Sequence, residues 1–95
     1  MIRIVKLEIK LDRLQAFQQH LAEVKDRIAS FPGCTHLEIY QHLQDKNILF
    51  TYSHWNSEND LNAYLQSELF ISIWSNVKPM FLKPAQAWSV DELKF

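Results

Sequence analysis

Positions 2–10 alternate in character. Arg3, Val5, Leu7 and Ile9 fall on one side of an extended chain, and Ile2, Ile4, Lys6 and Glu8 on the other. That period of two predicts a strand. From Leu14 the period lengthens. Leu14, Phe17, Leu21, Val24 and Ile28 recur at spacings of three and four, which draws one apolar stripe along a helix. Asp12 stands at the expected N-cap, with Gln15 in the capping-box position, and Pro32-Gly33 is expected to end the helix. Residues 35–42 and 47–54 read as two further strands around the polar loop Gln44-Asp45-Lys46. A loop this short cannot make a crossover, so the pair is predicted to be an antiparallel hairpin. Ser57 is the expected N-cap of a second helix, with Glu58 and Asp60 in its first turn and Leu61, Tyr64 and Leu65 facing inward. Ser67 restarts a helix at a new angle, with Leu69, Phe70, Ile73, Trp74 and Val77 as its stripe and Pro79 as its end. Residues 85–91, opened by Pro84, form the last strand.

The order strand, helix, strand, strand, helix, strand predicts an α+β fold of the ferredoxin-like, split βαβ kind, with a four-stranded antiparallel sheet in one domain spanning 1–95. Helices cover one face of such a sheet. Yet both faces of these strands are apolar: Leu37 and Ile39 oppose Tyr40, and Leu49 opposes Phe50 and Tyr52. A strand with two apolar faces requires cover on both. A second copy of the chain, sheet against sheet, supplies it, so a homodimer is expected.

Composition narrows the function. Apolar residues make up 47% of the chain and aromatics 13%, enough for a real core and against disorder. The net charge of −1, without a basic block, argues against nucleic-acid binding. Gly33 is the single glycine, which excludes Gly-rich phosphate loops and dinucleotide fingerprints. Cys34 is the single cysteine, so no intrachain disulfide forms; a lone thiol fits a cytoplasmic protein, and Cys34 reads as a small apolar turn residue. No apolar stretch approaches the roughly 20 residues of a membrane helix, and no signal-peptide pattern precedes Ile2.

Two groups of side chains could carry chemistry. If the hairpin pairs residues whose numbers sum to 90, then His36 lies opposite His54, Glu38 opposite Tyr52 and Tyr40 opposite Phe50, all on one face. Such a patch is either a pocket with acid–base groups, a His/His/Glu metal site, or a half-exposed sheet face with locally bonded histidines. His20 and His42 read as solvated surface. The second group is aromatic: Trp55, Tyr64, Phe70, Trp74, Phe81 and Trp88. These are either core or the wall of a pocket for a flat polar ligand, which would partner their polar tips. No nucleophile–base–orienter set and no glycosidase-like carboxylate pair stands out.

The stretch Trp55-Asn56-Ser57-Glu58, followed by Leu61, Ser67 and Phe70, resembles the antibiotic biosynthesis monooxygenase (ABM) superfamily. The resemblance implies a dimeric α+β barrel. It also implies a monooxygenase that uses O2 without metal, flavin or haem on a phenol, quinol or polycyclic aromatic substrate. The protein's part in that chemistry is orientation, a dry cavity and hydrogen bonds to a developing anion. On this resemblance His54 or His36 is the expected proton acceptor. Tyr64 and Tyr52 would hydrogen-bond the substrate oxygens, and Trp55, Phe70 and Trp74 would form the walls. Tyr64 occupies a place where quinol-oxygenase-like members often carry His, and Tyr is a poor base near neutrality. Haem-degrading relatives carry a ligating His where this chain has Trp74, which cannot bind iron. The alternative is a non-catalytic small-molecule-binding or interaction module on the same fold.

Overall fold

The computed structural model describes residues 1–95. Strand β1 (Ile2–Glu8) leads through a 3-10 turn (Leu11–Arg13) into helix α1 (Leu14–Ala29). Strands β2 (Cys34–Gln41) and β3 (Ile48–Trp55) follow, then helices α2 (Glu58–Leu65) and α3 (Glu68–Val77), a second 3-10 turn (Lys78–Met80) and strand β4 (Gln86–Val90). The four strands form one antiparallel sheet in the order β2-β3-β1-β4, and the fold is the expected ferredoxin-like α+β arrangement. No helix is long and apolar enough to cross a membrane.

The helical stripe does what its spacing implies. Phe17 and Val24 are 1% and 2% exposed, and Leu14, Leu21 and Ile28 pack beside them against Leu7, Ile9, Leu49, Ile73 and Val77. A second cluster, Trp55, Leu61 and Tyr64, closes the other end of the sheet. Both later helices start on the expected serines: the Ser57 hydroxyl accepts the Asp60 N–H, and the Ser67 hydroxyl accepts the Phe70 N–H.

Three local expectations are corrected. Asp12 does not cap α1, and no side chain does. The chain enters the helix through a 3-10 turn, in which the Arg13 and Leu14 N–H groups are already taken by the carbonyls of Lys10 and Leu11. The helix also stops at Ala29, before Pro32-Gly33. Gly33 instead makes the turn into β2 at φ +92°, where a Cβ would lie 2.4 Å from that of Asp60. Lastly, His20 and His42 are not free surface. The Nε2 of His20 is buried without a partner, and His42 Nδ1 accepts the N–H groups of Gln44 and Asp45, which shapes the hairpin loop.

The sheet pairs its residues into rows. On the helix side run Leu37–Ser53–Arg3–Ser89 and Ile39–Thr51–Val5–Ala87. On the opposite side run His36–His54–Ile2–Val90, Glu38–Tyr52–Ile4–Trp88 and Tyr40–Phe50–Lys6–Gln86. From His36 to Gln41 the hairpin takes the register in which paired numbers sum to 90, and an irregularity before His36 pairs Cys34 with Trp55.

Candidate functional site: an aromatic-walled cavity

Helices and sheet do not close fully on one another. Between them lies a cavity of about 390 Å³, within the ~300–1,000 Å³ range of small-molecule sites. One wall is a run of aromatic rings from the end of β3 and from α2 and α3. Trp55 and Tyr64 lie 5.1 Å apart, Tyr64 and Phe70 5.2 Å, and Phe70 stacks on Trp74 at 5.4 Å with 22° between planes. Its sheet-side floor mixes the short side chains of Val5, Thr51, Ser53 and Ala87 with the longer ones of Arg3, Leu7, Leu37 and Ile39. Stacked and edge-on rings facing this mainly aliphatic floor leave a slot suited to a flat apolar molecule.

Polar groups in the slot are few. All lining residues are apolar or aromatic except Arg3, Thr51 and Ser53. Ser53 is 6% exposed and is satisfied from within: it accepts the Trp55 indole N–H at 2.9 Å and lies 3.5 Å from the Arg3 carbonyl. The Trp55 tip therefore needs no ligand to partner it. Tyr64 is 8% exposed, and its phenol is pushed up to about 12, first by burial and second by the neighbouring Cys34 thiol. It is a neutral hydrogen-bonding group across the physiological range and cannot serve as a base there. Burial also pushes the Cys34 thiol up, against the opposing effect of its hydrogen bond to the His36 carbonyl.

The residues expected to act together divide between the two faces of the sheet. Tyr64, Trp55, Phe70 and Trp74 line the cavity. His36, His54 and Tyr52 lie on the opposite face, where their rings meet edge to face: His36 and His54 at 5.5 Å, His54 and Tyr52 at 5.1 Å. The His36 imidazole also contacts the Glu38 carboxylate on this half-exposed surface. The reason is the period of two: from His36 onward in β2, and along β3, the even-numbered residues point away from the helices. Within one chain the histidines therefore cannot take a proton from a molecule in the cavity. No three His, Cys, Asp or Glu side chains converge as metal ligands. Sequence reasoning passed over Arg3 as a site residue, although a signal was present. It is the one charged member of the otherwise apolar set Arg3, Val5, Leu7 and Ile9.

Similar folds occur in solved structures. A protein of Nitrosomonas europaea, described as a candidate antibiotic biosynthesis monooxygenase, superposes with a TM-score of 0.89 at 18% identity, covering 98% of each chain. A conserved protein of Methanosarcina mazei Go1 gives 0.83 at 24% identity, covering 90% of this chain and 86% of that one. A further candidate antibiotic biosynthesis monooxygenase, from Deinococcus radiodurans, gives 0.83 at 14% identity, covering 99% and 95%. Identities this low carry the fold alone. No curated protein matches the chain. The model of one family, antibiotic biosynthesis monooxygenase, matches residues 1–73, from the first strand to the middle of α3. With that stretch holding three of the four strands and most of the cavity wall, the chain belongs to the antibiotic biosynthesis monooxygenase family.

Proposed function

We propose that this chain works as a cytoplasmic homodimer whose cavity binds a flat phenolic, quinol or polycyclic aromatic compound and oxygenates it with O2, without a bound cofactor. The observation that carries this reading is the slot of about 390 Å³ between an aromatic wall and a mainly aliphatic sheet floor, with the neutral Tyr64 phenol in its lining. Family membership supplies the reaction class.

The chemistry asks little of the protein beyond position and polarity. A bound phenol ionises, its proton leaving to solvent, and Tyr64 donates a hydrogen bond to the resulting oxyanion. The anion passes one electron to O2. The aryloxyl radical and superoxide combine through a carbon–oxygen bond, and protonation gives a hydroperoxide. Loss of water from that carbon leaves a carbonyl, so one oxygen atom enters the product and the other leaves as water. Trp55, Phe70 and Trp74 hold the ring plane and exclude bulk water while the radical pair recombines.

A second reading is a non-catalytic small-molecule-binding module. It is favoured by one feature: no carboxylate or imidazole lines the cavity. Oxygen uptake separates the two. Screening quinols and hydroxylated polycyclic aromatics in an oxygen electrode should find a compound consumed with one O2 per molecule, and Tyr64→Phe should slow that turnover about tenfold or more. Melting shifts without oxygen uptake would establish the binding module instead. Neither uptake nor a melting shift with any compound would end both readings.

A further inference from the structure

The cavity contains one charge. Arg3 lines it from the central strand β1, and its guanidinium donates one hydrogen bond to the Ser89 hydroxyl at 3.0 Å. Neither aspartate nor glutamate lines the cavity, and Arg3 takes part in no ion pair. The carboxylates that do form ion pairs have other partners: Glu8 pairs with Lys6 and Lys83, Asp91 with the N-terminal amine, and Glu38 with His36. Arg3 is half-buried, and its place in the sheet is flanked by Ser53 on one side and Ser89 on the other. Both neighbours are small, so nothing in the row shields the guanidinium from the slot.

A structural role explains this residue poorly. Packing alone would be served by an aliphatic residue continuing the Val5, Leu7 and Ile9 series. A surface charge for solubility would stand on the outer edge of the sheet and not on the helix side of a central strand. A guanidinium presents a planar fork of five N–H donors, and a neutral serine hydroxyl uses only one of them. The other donors have no protein partner, and the residues that line the cavity with Arg3 are mainly apolar.

We infer that Arg3 is a specificity-determining residue, which selects for this cavity aromatic ligands carrying a resident negative charge, a carboxylate or the oxyanion of an acidic enol or phenol. The inference rests on the cavity being a ligand site and narrows what that ligand is. The aromatic wall takes the ring system, and the charged group sits at the Arg3–Ser89 end. Ser89 holds the guanidinium in place and contributes its own hydroxyl. A neutral ring of the same shape keeps the stacking contacts and loses the charge-assisted hydrogen bonds. Charge thus discriminates between ligands of equal size.

The test uses matched pairs of probes at neutral pH, with binding followed by calorimetry and by the melting temperature. One pair is naphthoate and the corresponding neutral naphthalene alcohol. The other is an acidic hydroxynaphthoquinone, ionised under these conditions, and its methyl ether. Each anion should bind on the order of tenfold to a hundredfold more tightly than its neutral counterpart, the range of hydrogen bonds to charged groups. Which pair shows the larger ratio distinguishes a carboxylate site from an enolate site. Arg3→Met should bring the ratio to about one, since that variant keeps much of the length and apolar bulk and removes the charge. Arg3→Lys should retain part of the ratio, as it keeps the charge without the planar fork. Ser89→Ala, on an exposed edge strand, should lower the ratio in a folded protein should Arg3→Met fail to fold. A wild-type ratio near one, or a ratio unchanged in the Arg3 and Ser89 variants, would overturn the inference and leave the cavity reading standing. Binding of no probe of either kind would overturn both.

Discussion

Gly33 and Tyr64 show how much one position carries here. The φ of +92° at Gly33 belongs to the region that L-residues rarely adopt, and any Cβ there would overlap Asp60 in the first turn of α2. Gly33→Ala therefore meets strain and a clash together. It should lose about 1–3 kcal/mol of stability, read as a fall of several degrees in thermal unfolding. The reason for glycine was partly legible, since Pro-Gly marks a turn. The contact with Asp60 was not, because the two residues are far apart along the chain. Tyr64 makes a prediction about pH. Its folded-state value lies at about 12 against an ordinary 10.0, so the folded chain holds the proton more firmly than the unfolded one. The stabilisation is complete below pH 10 and is lost as pH rises from 10 through 12. Denaturant unfolding of the wild type should weaken across that window, and Tyr64→Phe should flatten the loss. An identical alkaline profile in the variant would mean that Tyr64 ionises freely in the fold.

Among the elements, the serine caps and the absent aspartate cap make a matched set. Ser67 sits at the joint between α2 and α3: its hydroxyl accepts the Phe70 N–H and donates to the Tyr64 carbonyl at 2.6 Å. One side chain thus fixes the angle at which Phe70 and Trp74 meet the cavity. Ser67→Ala should cost about 1–2 kcal/mol and should also weaken ligand binding by tilting that wall. Asp12→Ala should change stability by less than about 0.5 kcal/mol, because the 3-10 turn leaves the carboxylate without an N–H to accept. Urea midpoints of the two variants, compared side by side, check both values. The helix stripes and serine starts could be read from spacing alone. The 3-10 entry could not: whether a side chain or the preceding backbone satisfies the first N–H groups depends on the direction in which the chain leaves β1.

For the whole molecule, the outer face of the sheet decides most. The row Glu38–Tyr52–Ile4–Trp88 and its neighbours put aromatic and aliphatic side chains on the side that no helix covers, and Trp88 is 45% exposed in the isolated chain. Only 12 of 95 residues are buried, which is sparse for a chain so rich in apolar residues. A second copy packed against this face is the arrangement that the homodimer reading requires. Ile4 is central to it, so Ile4→Glu should convert a dimer to a monomer in light scattering after size exclusion. The variant should remain folded by circular dichroism, because Ile4 lies outside the helix-facing core. A wild type that elutes as a monomer at every concentration would remove the dimer from the proposal.

The alternation of apolar and polar positions by itself determined the order of strands and helices, the sheet's two apolar faces and the antiparallel hairpin of β2 and β3. These follow from local periodicity and a short hairpin loop, both written in consecutive residues. Tertiary structure alone decided which residues share a site. The histidines and the aromatic residues are near one another along the chain, yet the sheet separates them, because neighbouring strand residues point to opposite faces. The irregularity between Cys34 and His36 shows the same dependence: Cys34 pairs with Trp55 and packs toward Tyr64, while His36, also even-numbered, faces outward. A shift of one residue in a strand exchanges its faces, and no local pattern records where such a shift falls. The cavity likewise arises from the fit of a large-ringed wall to a mainly aliphatic sheet floor, contributed by segments that meet only when the chain has folded.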